Sequence, residues 1–237
     1  MFQFDLLIFG NTGWGDELLI STIMTILVSL SSMFLGVCLA IIITWAKISG
    51  NLIVRIIANF YTTVIRGIPE LLVIYLIFFG GSATLMYLAK IFGYNGYIEL
   101  NAFTMGTISI GLISAAYSTE VFRGAYYTLG VGQLEAGKAL GLSRFQSFIK
   151  VLAPQMLKHA LPGLGNVWQI TLKDTALVSV TGLVEIMRQS RIASNVTHSP
   201  LTFILSAAIL YLILTSFSSK AFNKLEEFTN KNDSVTQ

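Results

Sequence analysis

Charge is scarce in this sequence. Asp, Glu, Lys and Arg make up 11% of its 237 residues, against about a quarter in soluble domains. With 54% of residues hydrophobic and a mean hydropathy of +0.72, a soluble core of this size could not hide the apolar surface. The chain therefore reads as an integral membrane protein. Its single cysteine, Cys38, excludes an internal disulfide, and its place inside the first apolar run reads as a packed, unreactive thiol. The two histidines, His159 and His198, fall on opposite predicted sides of the membrane without HExxH spacing, so no metal site is expected. No G-x-x-x-x-G-K-[ST] phosphate loop is present, so ATP hydrolysis belongs elsewhere. No GxSxG motif supports a serine nucleophile, and no catalytic residue is expected. A formal charge of +3, with the basic residues scattered between apolar runs, argues against nucleic acid. The N-terminal stretch has no basic region and carries Asp5, Asp16 and Glu17, so no cleavable signal peptide is expected. No glycine-rich or charged linker divides the chain, which reads as one membrane domain over 1–237.

What the sequence does have is five apolar runs of the length that crosses a bilayer, about 20 residues. They lie at about 18–45, 59–81, 101–123, 162–182 and 200–219. In the first, Ser21, Thr25, Ser29, Ser32, Gly36 and Ala40 recur at helical spacing, a small-residue face that lets helix backbones approach closely. Lys47, Arg55, Arg123, Lys138, Arg144, Lys150, Lys158 and the tail lysines 220, 224 and 231 outnumber Lys90, Arg188 and Arg191 on the other side. By the positive-inside rule the N-terminus is outside and the C-terminus inside. The expected fold is all-α and polytopic, with five transmembrane helices. Residues 82–100 read as an external loop with a short helix, 185–199 as an external segment, and 220–237 as a cytoplasmic tail with a disordered end.

Several polar groups sit where lipid would exclude them. Arg66-Gly67-Ile68-Pro69-Glu70 predicts a broken helix, because proline removes a backbone donor and crowds the preceding turn. Glu70 either pairs with Arg66 four residues earlier or faces a substrate, since intramembrane charges are functional candidates by default. Glu120 is either an end charge that snorkels to the interface or part of a translocation path. Asn166, Gln169 and Lys173 form a polar stripe on the fourth run. Asp174 follows Lys173 about 100° round the helix, so the two do not simply pair and a polar interior is indicated.

The long polar interruption 124–161 is the remaining feature. A short helix over 133–140 is followed by Gly141, a permissive turn residue. Ser143 and Gln146 fit a capping box that starts a second helix, with Phe145, Phe148, Ile149 and Leu152 on one face and Pro154 closing or kinking it. Such an elbow suits docking into a partner's groove or lying on anionic lipid; residue chemistry leaves both open.

With these residues in place, the sequence resembles the membrane subunits of bacterial ABC importers for polar amino acids. Glu135-Ala136-Gly137 resembles the opening of that family's EAA loop. Gly141 matches its fixed glycine, with Leu142, Ser143 and Arg144 after it, and Ile149 through Pro154 resembles its end. Gly137 stands where alanine is usual, and Ala153 where leucine often precedes the proline. RGIPE at 66–70, the segment 117–124, HALPGLGN at 159–166 and LKDTALVS at 172–179 extend the likeness over most of 20–220. The pattern is most like the Q-type permeases of arginine and of histidine/lysine/arginine/ornithine importers. The resemblance implies a type I ABC importer fold with a cytoplasmic coupling helix pair in the bacterial inner membrane. It implies a cytoplasmic ABC ATPase dimer that holds the ATP and magnesium, with no cofactor on this chain. It also implies a second permease subunit (homologous or self) and a periplasmic or lipid-anchored amino-acid-binding protein, within membrane lipid. Arginine is the implied substrate, with Glu70, Tyr117, Glu120, Asn166, Gln169 and Asp174 as path candidates. The alternatives are histidine, lysine, ornithine or glutamine, or, from another class, an ion-coupled carrier or channel. The lack of an inverted repeat argues against that last reading.

Overall fold

The computed structural model describes residues 3–10, 12–94, 96, 101–129 and 132–231. Helix α1 (Gly15–Ser49) is longer than the 18–45 expected. Its predicted small-residue stripe is its packing face: Ser21, Thr25, Ser29, Ser32, Gly36 and Ala40 are all buried. The Thr25 and Ser29 hydroxyls donate to carbonyls one turn back, at Ser21 and Thr25. With their polarity satisfied within the helix, they pack as small residues. The face meets α4 (Ala102–Leu129). A Cβ on Gly36 would lie 2.6 Å from Ser114 Oγ, so close backbone approach requires glycine there. Cys38, expected to be packed, is exposed. It lies off the small-residue face, on the outward side with Phe34, Ile41 and Ile42.

The second run, 59–81, is not one helix. Helix α2 (Leu52–Gly67), capped by the Asn51 side chain, stops where Ile68 and Pro69 turn extended. Helix α3 then runs through Glu70–Ile91. The expected break is thus present, and the short helix expected within the 82–100 loop is continuous with α3 up to Ile91. Gly80 and Gly81 both take helical angles at a π-helical turn over Leu76–Gly80, so no break forms there. Asn95 and 97–100, in the rest of that loop, lie outside the described residues.

Helix α4 passes beyond 123 to Leu129. After the short α5 (Gly132–Ala139) comes α6, which runs through 144–178 as Arg144–Ser147, a π-helical Phe148–Leu152 and Ala153–Val178. Neither Pro154 nor Pro162 ends it. Pro154 stands in the first turn of Ala153–Val178, directly after the widened turn, where a missing N–H costs little. Pro162 is carried inside the helix, as neighbouring helices allow in membranes. The expected fourth span, 162–182, therefore shares one helix with the elbow. It ends in a 3-10 turn at Ser179–Thr181 and at Gly182, whose φ is +101°. Close contacts of Gly106 with Val178 and of Gly163 with Val121 set α4 and α6 antiparallel.

Helix α7 (Ile186–Thr197), in the segment expected on the outer side, is anchored by Glu185, which is fully buried. Its carboxylate accepts from the Met187 and Arg188 N–H groups at 2.8 and 2.7 Å and from the Tyr211 hydroxyl at 2.9 Å. This ties α7 to α8 (Pro200–Lys231), which is helical well past the expected end at 219. Residues 232–237 of the expected tail lie outside the described residues. No strand occurs among the described residues. Among the described residues, three helices are long and apolar enough to cross a membrane: α1, α3 and α8. α4 and α6 are also long but richer in Ser, Thr, Gly and charge, and α4 lies between α1 and α6.

Candidate functional site: the elbow and two charge clusters on α4

The elbow forms as its residue types dictate. Gly141 has φ +77°, and the Leu142 N–H reaches back to the Gly137 carbonyl at 3.0 Å. That is the six-to-one bond of a Schellman stop, which favours glycine at this place. The reciprocal capping box follows: Gln146 N–H donates to Ser143 Oγ at 3.2 Å, and Ser143 N–H to Gln146 Oε1 at 3.0 Å. A Cβ on Gly137 would lie 2.6 Å from Ser147 Oγ, so the departure from alanine fits tight packing of α5 on the first turn of α6. The expected apolar face divides. Phe148 packs edge-on against Trp45 of α1 at 5.8 Å, and Leu152 is buried. Phe145 and Ile149, one turn apart, point outward, and Phe145 and Leu140 are 70% and 79% exposed. Glu135 and Ala136 are exposed, Leu142 is half-buried, and the side chain of Arg144 lies outside the described residues.

The polar path candidates do not form one site. Glu120 belongs to a closed cluster at one end of α4. Lys47, expected in a loop, is instead the buried last turn of α1, and its Nζ lies 2.5 Å from both Glu120 Oε1 and Thr62 Oγ1. Arg123 takes the other Glu120 oxygen at 2.7–2.8 Å. The carboxylate is therefore occupied on both sides and binds α1, α2 and α4 together. Asn166 and Gln169 face α8 across a small cleft of about 210 Å³. The Gln169 amide donates to the Thr215 carbonyl at 3.3 Å and to Ser219 Oγ at 3.1 Å. Lys173, on the same predicted stripe, is exposed.

Glu70, Tyr117 and Asp174 do come together, one turn from Glu120 along α4. The Tyr117 hydroxyl donates to Glu70 Oε1 at 3.0 Å, and Asp174 lies within electrostatic reach of both. The Asp174 Oδ2 atom is buried and has no hydrogen-bond partner. Glu70 and Arg66 form no salt bridge; Arg66 instead stacks on the Tyr117 ring, 5.4 Å from its centroid. Sequence reasoning left Glu70 either paired with Arg66 or facing a substrate, and missed this contact. The aromatic at 117 was the available signal, since guanidinium groups favour such ring faces. Two carboxylates with spare acceptor capacity suit a guanidinium or ammonium. A cavity of about 770 Å³ between Val37, Trp45, Phe122, Tyr126, Phe148 and Leu157 is apolar and suits no such group.

Comparison with known proteins matches this arrangement. The family described as binding-protein-dependent transport system inner membrane component matches residues 36–227. The chain is 45% identical to the nopaline transport system permease protein of Agrobacterium fabrum over 95% of its length and 96% of that protein. It is 45% identical to the octopine transport system permease protein of Rhizobium meliloti over 92% of each. Identity to the histidine/lysine/arginine/ornithine transport system permease protein of Escherichia coli is 36%, over 90% of this chain and 93% of the other. A crystal structure of an amino acid ABC transporter with histidines superposes with a TM-score of 0.77 at 29% identity, covering 90% of this chain and 94% of that one. The inward-facing MetNI methionine ABC transporter gives 0.65 at 15% identity over 90% and 94%, a likeness of fold alone.

Proposed function

The chain belongs to the binding-protein-dependent transport inner membrane components and is a permease subunit of an amino-acid ABC importer; from that premise we propose that it carries a cationic, guanidino-type amino acid. The observation that carries this reading is the Glu70–Tyr117–Asp174 cluster with its unpartnered buried Asp174 oxygen. An anionic atom without a partner in the span region is costly, and an incoming cation supplies what is missing. Relatives named for nopaline, octopine and the histidine/lysine/arginine/ornithine set fit a substrate bearing a positive group.

In the proposed assembly the permease crosses the bacterial inner membrane five times, on α1, α2–α3, α4, α6 and α8. Its N-terminus is outside and its C-terminus inside. The clustering of Lys47, Arg123 and the elbow at the end opposite Arg188 and Arg191 supports that orientation. The elbow seats in a cytoplasmic ATPase dimer. Exposed Phe145 and Leu140 on a fully capped helix pair favour a protein groove over lipid. Because 144–178 is one helix, a push on the elbow moves α6, and Asp174 with it. A second permease and a periplasmic or lipid-anchored binding protein complete the complex.

The test is reconstitution of the complex in liposomes with arginine, measuring uptake and substrate-stimulated ATPase. Glu70→Gln and Asp174→Asn are each expected to lower uptake at least about tenfold, the worth of one charge-assisted bond. Unchanged uptake in both would put the site elsewhere. Gly141→Asp is expected to leave ATP hydrolysis running while transport falls, and full transport in that variant would sink the coupling role.

A further inference from the structure

We infer that Arg66 is a specificity-determining residue that binds the substrate's carboxylate, so that the site takes an amino acid by both ends. This rests on the guanidino-substrate reading above and deepens it. Arg66 lies in the last turn of α2, just before the break at Ile68 and Pro69 and inside the second apolar run, 59–81. A guanidinium in such a run is expected to face a wet cavity and to be paired. Among the described residues Arg66 has no carboxylate partner. Glu70, one turn on, is engaged by Tyr117, and Arg66 lies over the Tyr117 ring. The ring holds the guanidinium by a cation–π contact, and no acceptor among the described residues takes its N–H groups, which make bidentate bonds to carboxylates.

The helix break adds to this. Glu70 and Leu71 begin α3 with no side-chain cap, and their backbone N–H groups have no partner among the described residues. Broken helices in transporters aim such half-helix starts at anionic substrate groups. Around Tyr117 the site thus offers cationic groups, the Arg66 guanidinium and the unpartnered N–H groups of the α3 start, beside the Glu70 and Asp174 carboxylates. A guanidino amino acid carries a guanidinium at one end and a carboxylate, beside its α-ammonium, at the other. A cation alone, lacking the carboxylate, would satisfy only half of the site.

The experiment measures equilibrium binding of radiolabelled L-arginine and of L-argininamide to the purified whole complex in detergent, without the binding protein. The amide keeps both cationic groups and removes only the carboxylate charge. The wild-type complex is expected to prefer arginine at least tenfold. Arg66→Gln should lose at least tenfold in arginine affinity, leave argininamide within twofold, and so erase the preference. Arg66→Lys should restore part of it, since a point charge replaces the fork. Binding of arginine with the preference intact in Arg66→Gln overturns the inference and leaves the guanidino-substrate reading standing. An equal loss of both ligands also overturns it and assigns Arg66 to assembly. Failure of the wild type to bind either compound overturns both readings.

Discussion

Helix α4 carries two charge clusters one turn apart, and they differ in whether they are complete. Around Glu120 every strong group is used: Lys47 and Thr62 on one side, Arg123 on the other. Around Tyr117 the groups are left short: Asp174 Oδ2 has no partner and Arg66 no anion. A saturated buried cluster holds helices together, whereas an unsaturated one is stable only if something else fills it. Both lie in the same helix pack, so the contrast can be tested by neutralising one acid in each.

The largest effect is expected at Glu120. Glu120→Ala strips the partner from a buried lysine, a change that typically costs about 3–5 kcal/mol. Thermal unfolding of the detergent-solubilised complex should show a clear fall in Tm. Lys47→Met combined with Glu120→Leu should recover much of it, because replacing a whole buried pair with apolar groups is often neutral. If Glu120→Ala left the Tm unchanged but altered substrate preference, the division between the clusters would be wrong.

Asp174→Asn should behave in the opposite way. It removes an uncompensated charge, so stability should hold or rise, while uptake falls by the tenfold, or about 1.4 kcal/mol, set by losing one ligand bond. Gains in stability at the cost of function are characteristic of sites built to bind something else. Tyr117→Phe should be milder. It frees Glu70 and keeps the ring under Arg66, so binding should drop only a few-fold, read in the same uptake assay.

The sequence made the two kinds of region unequally legible. The small-residue stripe on α1 and the elbow were readable almost to the hydrogen bond, because spacing and local chemistry determine them: Ser143 and Gln146 can meet only each other, and Gly141 answers to its own φ. Helix ends were less legible. Pro154 read as closing or kinking the elbow helix and Pro162 as the start of the fourth span, yet a widened turn and neighbouring helices carry α6 through both. Partnership across helices was least legible. Periodicity put Asn166, Gln169 and Lys173 on one stripe, but α8 takes Gln169 and leaves Lys173 exposed. Glu120 and Glu70 looked alike in sequence; only the arrival of Lys47 from α1 and Asp174 from α6 told them apart. Cys38 was misjudged for the same reason, since an apolar run does not announce which face meets a neighbour.

The smallest effect sharpens the comparison from outside the charge clusters. The elbow is saturated in its backbone, like the Glu120 cluster, but offers apolar side chains outward, as the Tyr117 cluster offers charge. Its structural and docking roles should therefore separate. Ser143→Ala removes one half of the capping box and should cost about 1 kcal/mol, confined to the first turn of α6. Hydrogen exchange should show faster exchange at the Gln146 amide, with uptake and ATPase close to wild type once the partner ATPase is bound, because the partner holds the helix in place. Phe145→Ala should leave that exchange unchanged and weaken co-purification of the ATPase. If instead Ser143→Ala released the ATPase and Phe145→Ala did not, the cap would be part of the contact, and the outward phenylalanine would be a lipid anchor.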